Sequence, residues 1–263
     1  LKPFCLTASL RNGSGTNSGL PLGFAAFLPA ELAAPTSAMP TIKLTYFNIE
    51  AAAEKARLAL AMTGTPFEDA RITFEEWGAL KPTTPYGQLP IMEVTEDDGS
   101  KKVFAQSVAM MRYVARRFDK AGTLYPTDAD ASLEIEEILG LSDDMARDWT
   151  PALYMGMGRH MKFGHPEDFP AKADTVKAMR ERFIAEDLPK WMGFLSAKLD
   201  KTGAFLAGPN VTIADLQVLA QLRYYTKGVA DHVPKDCLEA FPKITAWMAK
   251  MYEVPEIKKW YGL

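Results

Sequence analysis

With 263 residues, 48% of them hydrophobic and 24% charged, the chain can bury a core as one large domain or two modest ones. A formal charge of −3 gives no electrostatic case for nucleic acid or an acidic membrane surface as a partner. No apolar run approaches the roughly 20 residues that would cross a bilayer.

Residues 1–38 are rich in Ser, Thr, Gly, Pro and Ala, with Glu31 their only acid. That composition reads as a disordered leader or a non-native extension outside the fold, with Met39 a candidate start. "IKLTYF" then predicts a short strand, followed without a break by "AAAEKARLALAMTG", a helix closed by Gly64. "PFEDARITF" predicts a second strand, which makes a βαβ unit and therefore a parallel pair with a right-handed crossover. After a loop, "LPIMEV" and "KKVFA" flank "TEDDGS", whose Asp98-Gly99 is a hairpin signal. "QSVAMMRYVARRF" has apolar residues at helical spacing, so the order becomes β-α-β, loop, β-β-α, the thioredoxin-like arrangement.

Beyond the Gly/Pro/Asp-marked "DKAGTLYPTDAD", strand signals cease. "ASLEIEEILGLSDDMARDW", "DTVKAMRERFIAEDLPKWMGFLSAKL" and "TIADLQVLAQLRYYTKG" predict long amphipathic helices, with shorter ones at "FPKITAWMAKMY" and "PEIKKWY". The expected organisation is an α/β thioredoxin-like domain over residues 39–119, a linker over 120–128 and an all-α domain over 129–263. Within it Thr212 and Asp215 of "TIAD" have the spacing of a helix capping box, a folding role. The Met- and Gly-rich "YMGMGRHMKFG", Tyr154 to Gly164, has two readings, a flexible apolar lip for a second substrate or a loose interhelical turn. The turn is favoured, and His160 and His165 go with it without chemistry. The three histidines have no zinc spacing, and there is no Walker loop or GxGxxG, so neither metal nor nucleotide is expected. Cys5 and Cys237 form no CxxC, which points to a reducing compartment such as the cytoplasm.

Three features converge on a ligand. Tyr46 ends the first strand, and ligands of parallel strands gather at their carboxyl ends. Pro90 stands just before a strand, so that Leu89 can offer its N–H and C=O to an extended peptide-like ligand. Gln106 and Ser107 open a helix, where unpaired N–H groups and a hydroxyl make a seat for a carboxylate. A hydroxyl for a thiolate, a backbone clamp and a carboxylate seat together describe a small acidic thiol peptide as the ligand.

From about Met39 to Leu263 the chain resembles the cytosolic glutathione transferases, most closely the sigma class. "KLTYFN", "YGQLPIMEV", "FAQSVAMMRYVAR", "GPNVTIADL" and "FPKITAW" carry the resemblance, in order and at the family's spacing. It implies glutathione as co-substrate, no metal, a homodimer and a small-molecule electrophile as second substrate. It also implies roles for individual residues. Tyr46 becomes the catalytic tyrosine that hydrogen-bonds the glutathione sulfur. Trp77 and Lys81 hold its glycine end, and Gly87, Gln88 and Leu89, with Pro90, pair with its cysteinyl backbone. Gln106 and Ser107 take the γ-glutamyl carboxylate, and Asp144 reaches the ligand across the dimer interface. Ile49, Met145 and Trp149 are expected to line the electrophile pocket.

Two positions depart from the pattern. Ala51 and Ala52 stand where similar sigma enzymes have a Gly-Arg pair, so the polarising arginine is missing, and Gly140 replaces the divalent-metal aspartate of some prostaglandin synthases. Tyr86 has two readings, packing internally or inserting into a partner subunit. The leading function is conjugation of glutathione to apolar electrophiles. The alternatives are a glutathione-dependent isomerase of the prostaglandin D type and a non-catalytic ligand carrier or crystallin-like protein.

Overall fold

A computed structural model of the chain describes residues 39–169 and 173–263. The reading of residues 1–38 as a leader, and Cys5 with it, lies outside the described residues. The first part contains strands β1 (Thr41–Phe47), β2 (Glu68–Ile72), β3 (Ile91–Thr95) and β4 (Lys101–Ala105), with helices α1 (Glu54–Met62), α2 (Phe74–Leu80) and α3 (Ser107–Phe118). The sheet order is β2-β1-β3-β4, with β1 and β2 parallel and the other pairs antiparallel. This is the expected β-α-β, β-β-α arrangement. Leu44, Thr45 and Tyr46 are consecutive buried residues because β1 is an interior strand covered on both faces.

Local sequence explains the turns. Gly64 takes φ 62°, and the Thr65 N–H reaches back to the Leu60 carbonyl at 3.0 Å, so α1 ends where its glycine permits a left-handed residue. The β3–β4 hairpin closes over Gly99 at φ 78°. Helix α2 falls where only a loop was expected. Its signal is Thr73-x-x-Glu76: the Glu76 N–H donates to the Thr73 hydroxyl at 3.2 Å, and the Thr73 N–H donates to the Glu76 carboxylate at 2.6 Å.

The rest is helical: α4 (Ala129–Gly156), α5 (Ala173–Arg182), α6 (Leu188–Thr202), α7 (Ile213–Thr226), α8 (Pro242–Tyr252) and α9 (Pro255–Tyr261). The single long helix expected over residues 174–199 divides at a π-helical turn, Phe183–Asp187. Pro189 lacks an N–H to continue the ordinary ladder, and the wider spacing before it absorbs that loss.

Helix α1 joins the two parts, since it packs on α3 behind the sheet and on α7 and α9 of the helical part. Charged contacts fix that junction. Arg223 of α7 makes a bidentate pair with Glu50 at 3.0 and 3.3 Å, and the Trp260 indole of α9 donates to Glu54 at 2.8 Å. Asp215 is completely buried and accepts four hydrogen bonds, from the Leu206 and Thr212 N–H groups, the Thr212 hydroxyl and the Trp247 indole, at 2.9 to 3.1 Å. The capping box read from "TIAD" is therefore also the junction of three segments of the helical core.

Candidate active site

Strand register sets the site's dimensions. Thr45 pairs with Ile91, and Ile91 with Ala105, so the next residue outward on each strand is Tyr46, Pro90 and Gln106 in a row along one edge. Neighbouring strands lie about 4.8 Å apart, which puts Tyr46 and Gln106 roughly 10 Å apart. An extended tripeptide, at about 3.5 Å per residue, covers that distance.

The wall between them is polar and fixed. The Leu89–Pro90 peptide is cis. The Gln106 side-chain amide donates to that of Gln88 at 3.3 Å, which ties the segment before β3 to the start of α3. Gln106 has φ 72°, a strained conformation for a residue with a Cβ, held at the point where α3 begins. No side chain caps that helix, so the N–H groups at Ser107 remain available to an anion. At the other end, Lys81 packs over Gly87, whose φ is 58°; a Cβ there would lie 3.7 Å from the lysine Cε. Trp77 meets Phe47 edge-on at 6.2 Å, and Phe47 in turn meets Tyr46 at 5.5 Å. Tyr46, Pro90 and Gln106 thus share one end of the sheet, with Gln88 tied to Gln106, Trp77 reached through Phe47, and Lys81 over Gly87.

Tyr46 is buried, and burial raises its pKa above the ordinary value; the nearby Ala52 backbone and the Arg57 guanidinium offset this only in part, and Tyr154 adds to the rise. The phenol therefore stays protonated at neutral pH and acts as a hydrogen-bond donor. Arg57 was not foreseen. The Arg57 guanidinium lies 5.9 Å from the Tyr46 ring centroid, fully buried, with Asp69 at 2.9 Å, the Ile49 carbonyl at 2.7 Å and Glu54 at 3.2 Å. Ala52 leaves a position without a cation, but five residues further on Arg57 supplies one. Its signal was the charge itself, set in the otherwise apolar stretch "ARLALAM".

A cavity of about 230 Å³ opens beside Ala51 and Ala52, between the start of α1, the middle of α4 and α7. Trp149 lines it. Met145 does not: it faces the core with 1% exposure, because its side of α4 packs inward. Ile49 is half-exposed in the loop before α1 and lies outside that lining. Asp144 points away from the cavity, half-exposed and paired with Arg147 at 2.7 Å. Tyr86 is 78% exposed, which removes the internal-packing reading. Cys237 offers no competing nucleophile, since burial pushes its thiol up to about 11. Among the described residues there is no cluster of three or more metal-ligating side chains, and no helix is long and apolar enough to cross a membrane.

Comparison with known proteins agrees with this geometry. Residues 42–116 match the family model described as the glutathione S-transferase N-terminal domain, and residues 165–262 match the glutathione S-transferase C-terminal domain. "Glutathione S-transferase 4" of Caenorhabditis elegans is 32% identical over 224 residues, which covers 84% of this chain and 96% of that protein. Among solved structures, prostaglandin synthase D of Nilaparvata lugens has a TM-score of 0.69 at 27% identity, covering 85% of this chain and 98% of that one. The Fasciola hepatica sigma class enzyme has a TM-score of 0.66 at 25% identity, with 85% and 96% covered.

Proposed function

Because the chain belongs to the glutathione S-transferase family, we propose that it is an enzyme that uses the wall from Lys81 to Ser107 to hold glutathione and Tyr46 to activate its sulfur. The observation that carries this reading is the alignment of Tyr46, Pro90 and Gln106 along one sheet edge, at the spacing of an extended tripeptide. Ser107 and the open N-terminus of α3 take the γ-glutamyl carboxylate, Leu89 pairs with the cysteinyl backbone, and Lys81 with Trp77 receives the glycine end. The sulfur then rests at the Tyr46 hydroxyl, next to the cavity lined by Ala52 and Trp149, where an apolar electrophile meets it. On the same reading the chain is a sigma-class enzyme of the cytoplasm whose work is detoxification.

Retention on immobilised glutathione followed by turnover of a chromogenic aryl halide tests this directly. Both are expected. Failure to bind glutathione overturns the reading, and binding without turnover favours the carrier instead.

The enzyme is proposed to act as a two-fold symmetric dimer. Tyr86, exposed and with φ 59°, is taken as the anchor, and half-exposed Asp144 of α4 as the residue that reaches the neighbour's ligand. Removing a buried aromatic anchor costs roughly 2 kcal/mol or more per site. Sedimentation should give a dimer at micromolar concentration and a Tyr86→Ala variant that dissociates there. A fully active wild-type monomer would exclude the dimer.

A further inference from the structure

Among the described residues Lys55 is the one cation that lines the same cavity. The Ser142 hydroxyl is paired with Gln221 at 2.5 Å, and Asp143 accepts from Gln217 at 2.9 Å. Among the described residues no carboxylate comes within ion-pair distance of the Lys55 ammonium. Its place in the first turn of α1 does not help it, because the positive end of a helix opposes a cation. Burial lowers its pKa, and the nearby Asp143 carboxylate opposes this without pairing with it. The half-buried ammonium is thus partly withdrawn from water with no carboxylate paired to it.

Resting on the transferase reading above, we propose that Lys55 is a specificity-determining residue: it receives a carboxylate carried by the electrophile. A carboxylate bound there favours the protonated lysine, so ligand and ammonium stabilise each other's charged forms. The volume suits a single-ring or short-chain compound, since pockets for drug-sized ligands run from about 300 to 1,000 Å³. Lys55 lies three residues beyond Ala52, whose backbone is close to Tyr46, so in this proposal its ammonium addresses the part of the electrophile away from the reacting carbon. A lysine that only covers an apolar wall with its stem would not distinguish an acid from its amide.

The test compares 4-chloro-3-nitrobenzoate with 4-chloro-3-nitrobenzamide on the full chain. In both, the glutathione sulfur forms a bond to the ring carbon, chloride leaves with the bonding pair, and the thiol proton goes to solvent. Taking the ratio of kcat/KM for acid over amide cancels effects common to both. Lys55→Met should lower that ratio about ten-fold or more, mostly through KM, while Lys55→Arg keeps it; a hydrogen-bonded charge pair has this magnitude. Asp143→Asn should raise the ratio, because it removes the opposing carboxylate. Calorimetry with unreactive 4-nitrobenzoate reads the same site without turnover, and Lys55→Gln replaces Lys55→Met if the latter does not fold. A ratio and a 4-nitrobenzoate affinity both within two-fold of wild type in the lysine variant overturn the proposal. Loss of turnover with both aryl chlorides in the wild type overturns the transferase reading instead, and 4-nitrobenzoate binding then still decides the role of Lys55.

Discussion

Tyr46→Phe is expected to lower transferase activity at neutral pH about ten-fold or more and to move the pH–rate inflection upward, with little change in glutathione affinity. Burial holds the Tyr46 hydroxyl protonated, so in the proposed mechanism it donates to the glutathione sulfur and does not take its proton. A hydrogen bond to a charged group contributes about 1.5–3 kcal/mol. At roughly 1.4 kcal/mol per pKa unit, it lowers the bound thiol by about one to two units, from near 8.5 toward 7. The sign is then fixed. The donor favours the thiolate, so its loss raises the thiol pKa, and the deficit is largest at neutral pH and shrinks as the medium becomes alkaline. Rate measurements from about pH 6 to 9.5 check this; an unmoved inflection in Tyr46→Phe means that the hydroxyl only packs.

Asp215→Ala should be the most destabilising single change outside the site. The carboxylate accepts four hydrogen bonds in a fully buried setting, and truncation leaves all four donors without a partner. Each orphaned buried donor costs about 1–3 kcal/mol before relaxation, so a net loss of about 4 kcal/mol is expected. For a protein of this size that corresponds to a fall in Tm of roughly 8–16 °C. Asp215→Asn should recover only part of it, because an amide offers one acceptor oxygen and adds two donors of its own. Thermal or urea unfolding measures the loss, and a change below about 1 kcal/mol in Asp215→Ala would mean that water replaces the carboxylate.

The legible parts of the chain are those whose signals are local. The strand order followed from β-rich runs separated by one helix and one Asp-Gly turn, and Thr212 with Asp215 declared a capping box by spacing alone. Other features depended on partners distant in sequence. Arg57 looked like one charge on an apolar helix, and only Asp69 and the Ile49 carbonyl show why a buried guanidinium is tolerated beside Tyr46. Met145 and Trp149 sit four residues apart on α4, yet the tryptophan borders the cavity and the methionine fills the core. Helix periodicity gives the spacing of a face, while its direction depends on neighbouring helices. Helix α2 was legible and overlooked, since Thr73 and Glu76 carry the same capping signal as Thr212 and Asp215.

The bond from the Trp260 indole to Glu54 spans 206 residues of chain. Glu54 in turn anchors Arg57 under the tyrosine ring. On the ribosome, at about 5–20 residues per second, this leaves an interval of roughly 10–40 s between synthesis of the two partners. For most of that interval the sheet can form, but the side of α1 that meets α7 and α9 has nothing to pack on. A nascent chain stalled before α7 should therefore hold an exposed apolar helix and a Tyr46 whose surroundings are unfinished, and it is the species on which chaperones would act. Competence for chemistry arrives late in translation, well after the residues that perform it have been made.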